Sequence, residues 1–330
     1  MTISRRTLLG SATAAGATIA LPGVLRAQEA TINAVHFTPA QVGYAQSFLK
    51  FAAKVNEKGK GIVQIRVRGG PEVIPFGQLG ESQRTGAIDM INAPAGAYLN
   101  LVPEGEAFNI TTKKPAELKA NGGFDLINQV YNRKGNAQLL AHVDGGRGFH
   151  VFCVDEPAQT TDGSFDWKKL KVRAAPLQRD FMESLGCNVV VMGPAEVYTA
   201  LERGLVNSTC YTILGYKAFG WNKFTKFRID PDFFQTDVLI SMNKAKWDSL
   251  SAEAKKVLAD VSAEHEASSI AENVTNTENE DKQLQADGMK ILKMSDAAGK
   301  AFQAKATQVS LERMTKRDPA NVEALRAKFL

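Results

Sequence analysis

From Ser251 to about Leu284 the sequence is helical in character throughout. Ser251 is placed to cap the first turn, and Glu253 sits near the positive end of the helix dipole. At 1.5 Å per residue such a helix is roughly 50 Å long, more than one small lobe needs. It either packs along two lobes and sets their relative geometry or lies as a solvated surface helix. The 330 residues of the chain are too many for one typical core and suit two lobes.

Upstream, periods of 2 and 3.6 alternate. Thr31 to Phe37 reads as a strand, and Val42, Ala45, Phe48, Leu49, Ala52 and Val55 recur at helical spacing until Lys58-Gly59. Val63 to Arg68 alternates apolar and polar residues and is stopped by Gly69-Gly70-Pro71. Gly86 to Ile91 reads as a short buried strand. This β-α-β-α-β opening predicts an α/β fold whose sheet is mainly parallel, with helices on both faces. A second set begins at Phe149 to Val154, followed by Leu170 to Arg173, a helix from Leu177 to Leu185, Asn188 to Met192, and a helix opened by Pro194 and closed by Gly204. Val238 to Met242 is one more strand. Met289 to Met294 alternates like a strand, and two helices finish the chain.

The first 27 residues read as a signal peptide of the twin-arginine type. Ser4-Arg5-Arg6-Thr7-Leu8-Leu9 precedes a charge-free, Ala/Gly/Leu-rich run to Val24, with Ala27 as the cleavage point. The run is interrupted by Gly10, Gly16, Pro22 and Gly23, which favours a removable signal over a membrane anchor. Removal takes away Arg5, Arg6 and Arg26, so the 40 Lys+Arg become 37 against 35 Asp+Glu, and the formal charge falls from +5 to +2. A nearly balanced surface gives no electrostatic reason to expect nucleic acid as a partner.

Twin-arginine export often accompanies a loaded cofactor, so an exported redox enzyme or hydrolase is a competing reading. Cys153, Cys187 and Cys210 lack close ligand spacing, and His36, His142, His150 and His265 are scattered, so no metal, haem or other cofactor is expected. A Cys187–Cys210 disulfide is open; buried thiols are the preferred reading. GxSxG, HExxH, the P-loop pattern and a GxGxxG after a strand are all missing from the sequence. Gly145-Gly146-Arg147-Gly148 precedes a strand rather than a helix, so it does not read as a phosphate cradle.

Leu170-Lys171-Val172-Arg173, then Leu185-Gly186-Cys187-Asn188-Val189-Val190, then Glu196 to Gly204 (EVYTALERG) follow one another in order. Gly86 to Met90 and Met242 to Leu250 add two further segments. With these five the chain resembles the solute-binding proteins of tripartite ATP-independent periplasmic (TRAP) transporters, C4-dicarboxylate-binding type, whose segments read LKIR, LGANPV and EVYTALQxG. The resemblance covers nearly all of the mature chain. It implies a two-lobed periplasmic binding protein fold with a hinge and mixed, mainly parallel sheets flanked by helices. On that pattern residues 28–148 with 238–250 form lobe I, 149–237 with part of 285–330 form lobe II, and 251–284 is a long helix spanning both. It also implies a receptor without enzymatic activity, located in the periplasm, which captures a small carboxylate and delivers it to membrane permease subunits. A sensory partner is the other outlet for the same capture. A monomer and a homodimer through the C-terminal helices are both open.

The family's signature contact is an arginine on the ligand carboxylate, and Arg173 occupies its position. A guanidinium fork makes two parallel charge-assisted bonds to a carboxylate and stays ionised when water is excluded. The family's GFR segment aligns with Gly148-Phe149-His150, which puts His150 at a second contact with Arg147 displaced in register. The VDGQENP stretch aligns with Val206 to Thr212, which puts Tyr211 at the asparagine position. These exchanges remove partners for a second carboxylate and add flat surface and hydroxyl bonding. The expected ligand is therefore a monocarboxylate, aromatic or otherwise apolar, or a 2-oxo acid. Trp221, Phe233 and Phe234 lie near segments that border the family's cleft and supply either apolar contact or core packing. Glu72 either bonds a ligand hydroxyl or caps the next helix, and Ala93-Pro94 offers backbone and shape.

Overall fold

The computed structural model describes residues 29–330, so the twin-arginine segment lies outside the described residues. Among them no helix is long and apolar enough to cross a membrane. Strands β1 (Ala30–His36), β2 (Val63–Gly69), β3 (Met90–Pro94), β4 (Ala137–Val143) and β10 (Val238–Asn243) form one sheet in the order β2-β1-β3-β10-β4. Strands β5 (Phe149–Cys153), β6 (Lys171–Ala174), β7 (Asn188–Val191), β8 (Ser208–Tyr211), β9 (Phe227–Phe233) and β11 (Lys290–Lys293) form the other, β11-β9-β5-β8-β6-β7. Five strand pairings are parallel and four antiparallel, so the sheets are mixed. The third strand begins at Met90 rather than Gly86, because Gly86 takes a left-handed conformation (φ 80°) that ends the preceding helix.

Helices α1 (Gly43–Lys58), α2 (Leu79–Thr85), α3 (Ala107–Ile110), α4 (Pro115–Ala120) and α5 (Gly123–Gly135) accompany the first sheet, and α6 (Arg179–Ser184) and α7 (Val197–Glu202) the second. In α1 the buried residues are Tyr44, Ala45, Phe48, Phe51, Ala52 and Val55, so the core stripe runs through Tyr44 and Phe51 while Leu49 is only half-buried. The second lobe packs around Phe181, Phe233 and Phe302, whose ring centroids lie 5.0–5.3 Å apart. Burying each such side chain contributes about 1.5–3 kcal/mol. Cys153, Cys187 and Cys210 are buried free thiols in the same lobe, and burial pushes Cys187 up to about 12.

After α8 (Lys244–Ser249) comes α9 (Ala252–Ala286), about 50 Å long, with Ser251 capping it by accepting the Ala254 N–H at 3.1 Å. Its buried stripe is apolar at Ala254, Leu258 and Val261, polar from Ser262 to Thr277, and apolar again at Leu284. The polar stretch lies where the lobes join. Glu266 accepts the His142 N–H of lobe I, Ser269 accepts that of Asp144, and Asn273 donates to Gly145 O. Farther along, Glu280 accepts the Gly215 and Lys217 N–H groups, and Asp281 pairs with Arg228 of lobe II. The helix therefore spans both lobes.

Besides α9 and the C-terminal segment, the chain passes between the lobes at 144–148 and 234–237. Each begins with a non-glycine residue in the left-handed region, Asp144 (φ 55°) and Phe234 (φ 56°). They are tied together by Thr236 N–H to Arg147 O (3.0 Å) and Gly146 N–H to Gln235 Oε1 (3.0 Å). The C-terminal segment serves both lobes. Phe302 of α10 (Asp296–Arg317) stacks on Trp167 in lobe II, whereas Phe329 of α11 (Val322–Phe329) packs edge-on to Phe108 in lobe I.

Candidate functional site

A cavity opens between the lobes at the carboxyl end of β6, the end where ligands bind in open α/β sheets. Phe37, Phe76 and Val238 face it from lobe I, and Phe149 and Leu177 from lobe II. The lobes touch around it. Tyr44 Oη of α1 lies 2.9 Å from Thr212 Oγ1, and a Cβ on Gly96 would come within 3.3 Å of Leu177. The cavity measures about 40 Å³.

Arg173 enters this cavity from β6, between β7 and β8, and is 2 % exposed. Its Nε and Nη2 donate to Met192 O at 3.1 and 2.7 Å, and Nη1 donates to Cys210 O at 3.1 Å. The guanidinium also lies 5.8 Å from the Tyr211 ring centroid. Three of its five N–H groups are thus used for orientation. Burial pulls its pKa down to about 10. Among the described residues two other arginines are buried, and both have acid partners: Arg228 pairs with Asp230 and Asp281, and Arg313 with Glu106 and Asp180. Arg173 forms no ion pair with a described residue. A buried cation without a counter-charge costs several kcal/mol, so a site that keeps one is built for an anion.

The profile of bacterial extracellular solute-binding proteins, family 7, matches residues 34–317. The chain belongs to this family. Its members are receptors of TRAP transport that bind solutes and are not enzymes. A monocarboxylate 2-oxoacid-binding periplasmic protein of Nostoc is 23% identical over 287 residues, 79% of this chain and 76% of that one. A Bordetella pertussis extracytoplasmic solute receptor solved with pyroglutamic acid superposes with a TM-score of 0.78 at 15% identity, covering 91% of this chain and 99% of the other. A TRAP periplasmic solute-binding protein from Desulfovibrio salexigens, with bound orotic acid, gives 0.81 at 16% identity over 91% and 97%. The two-lobed fold is shared with both.

Of the residues expected at the receptor's site, Arg173 and Tyr211 meet in the cavity. Tyr211 is buried, its hydroxyl has no partner among the described residues, and its ring packs edge-on to Phe219 and Trp221. Trp221 is fully buried behind it and does not line the cavity. His150 is placed elsewhere: its Nδ1 lies 2.9 Å from Asp230 Oδ1, and it borders a separate surface groove beside Pro231 and Ser295. Arg147 reaches to α9, where Nη2 pairs with Glu278 at 2.5 Å. Glu72 is exposed and accepts the Gly70 N–H at 2.6 Å, closing its own turn; that bond holds its pKa below the usual carboxylate range. Phe233 and Phe234 pack on Phe181 in the lobe II core. Pro94 does line the cavity, as shape.

Several cavity residues carry no linear signal in the sequence. Tyr44 sits on a core-facing helix, Gln178 spends its Oε1 on the Ala175 N–H, and Asn109 and Asp237 come from a short helix and a lobe crossing. Burial pushes Asp237 up to about 7, opposed only by the N–H groups of Asp237, Gly96 and Ala95.

Proposed function

We propose that this receptor captures a small organic monocarboxylate in the periplasm, binds its carboxylate through Arg173, and hands it to the membrane permease of a TRAP transporter. The observation that carries the reading is the buried guanidinium of Arg173, oriented by two carbonyls and in no ion pair with a described residue. A ligand carboxylate supplies the missing charge with charge-assisted bonds. One carboxylate suffices, because among the described residues Arg173 is the single Lys or Arg lining the cavity and Arg147 is engaged with Glu278. The aromatic and aliphatic walls suit an apolar body, and the small volume suits a compact one. Acids bound by relatives, the 2-oxo monocarboxylates and pyroglutamate, are of this kind.

Closure is a hinge motion about 144–148 and 234–237, and the permease reads the closed form. The leading segment with Arg5 and Arg6 directs the folded receptor through the twin-arginine route. Mass spectrometry of the acid that co-purifies, with Arg173→Ala as control, tests the capture. A monocarboxylate lost in the variant is expected. A dicarboxylate, or an acid retained by the variant, refutes it.

A further inference from the structure

Arg173 reaches the cavity from lobe II, and the lobe I side of the cavity has its own unmatched chemistry. Asp237 stands in the second lobe crossing, immediately before β10, and Asn109 in α3, so both face the cavity from the side of lobe I. Each is 2 % exposed. Asn109 donates its Nδ2 to Gln235 O at 2.9 Å, which fixes the amide so that Oδ1 is the free end, and that oxygen has no partner among the described residues. Asp237 Oδ2 likewise has none, and the groups beside the carboxylate are backbone N–H groups, not cations. A buried acceptor left without a donor is costly, and two together ask for a donor from outside the chain.

We propose that Asp237 and Asn109 make the receptor selective for a compact monocarboxylate carrying an N–H or O–H donor at the end opposite its carboxylate. This rests on the reading that Arg173 holds the carboxylate. The two ends of such an acid are then claimed by different lobes, the anion by lobe II and the donor by lobe I. A ligand with both ends completes the bonding of both lobes when they close. An acid with only a carboxylate leaves Asp237 and Asn109 unmatched. A second carboxylate sets an anion against Asp237. Sites built to bond a ligand N–H or O–H reject the analogue lacking it far more strongly than apolar pockets reject a missing methylene.

The test is calorimetric titration of the mature protein at pH 8.5, where Asp237 is ionised. Two matched pairs are used, each differing by a hydroxyl at the end away from the carboxylate: 4-hydroxybutyrate against butyrate, and 5-hydroxypentanoate against pentanoate. In at least one pair the donor-bearing acid is expected to bind about 30-fold more tightly, and the ratio is expected to shrink below about 5-fold in Asp237→Asn. A wild-type ratio below about 10-fold in both pairs overturns the selectivity, as does a ratio that survives Asp237→Asn. These comparisons leave the Arg173 reading intact so long as Arg173→Ala still abolishes binding. If Arg173→Ala binds as well as wild type, both fall; if none of the four acids binds, the selectivity falls and the Arg173 reading is decided by the co-purifying acid. The wild-type ratios need no variant to fold.

Discussion

Replacing Arg173 by Met separates what the guanidinium does for binding from what it does for the fold. Burial pulls its pKa from 12.5 to about 10, which corresponds to about 3 kcal/mol spent on keeping the charge inside. Against this stand the bonds to Met192 O and Cys210 O, worth about 1 kcal/mol for each of three N–H groups. The two nearly cancel, and Met fills much of the same space, so the unliganded Tm should move by no more than about 3 °C, at roughly 2 °C per kcal/mol for a chain of this size. Binding has no such offset. A bidentate charge-assisted pair in a closed cavity contributes about 3–5 kcal/mol, so affinity should fall roughly 10²–10⁴-fold. Arg173→Lys should recover little of it, because an ammonium keeps the charge and loses the fork. Calorimetric titration and thermal melts of the three proteins, with and without ligand, read both quantities. A Met variant that keeps the ligand-induced rise in Tm would show that the carboxylate sits elsewhere. A fall above about 10 °C without ligand would show that Arg173 is chiefly structural.

Asp144, buried at the first crossing, accepts from Ser47 Oγ at 2.7 Å, and burial raises its pKa from 3.8 to about 7. A raised acid binds its proton more tightly in the folded state, so its stabilisation is present at low pH and lost as pH rises towards about 7. Relative to Asp144→Asn, wild type should lose about 2–3 kcal/mol between pH 5 and pH 8, seen as a widening Tm gap of about 5 °C; parallel pH profiles would refute this. Tyr44→Phe removes the bond from Tyr44 to Thr212 across the cleft. It should weaken ligand affinity up to about 10-fold by destabilising the closed form; unchanged affinity would detach that bond from closure. His150→Gln should leave affinity within about 3-fold while lowering Tm, because the imidazole faces Asp230 rather than the cavity; a larger loss in titration would return it to the site.

Arg173 was legible because its neighbours in sequence are also its neighbours in β6, so a local motif sufficed to locate the side chain at the carboxyl end of a buried strand. His150 was not, and the reason is a bulge. The β5–β9 register shifts between Phe149 and Val151: Phe149 faces Phe233 and Val151 faces Ile229, so β9 carries two extra residues opposite His150, around Asp230 and Pro231. Phe149 consequently meets the cavity and His150 meets Asp230. No alternation pattern in five residues announces that shift. Asp237 and Asn109 were hidden for a different cause: buried and exposed polar residues look alike in a sequence until the fold shows which have lost water.

The same ambiguity explains why α9 supported two readings. Its cap and length were plain, but Ser262, Ser269, Asn273 and Thr277 have the composition of a solvated face. Ser269 and Asn273 are buried where a lobe crossing presents backbone groups that an apolar stripe would leave unpaired. Asn273 meets Gly145 O and Ser269 meets the Asp144 N–H. A helix that must cover two lobes and the hinge between them needs apolar ends and a polar middle. That pattern marks a spanning helix better than its length does, and it places the pivot at the polar residues.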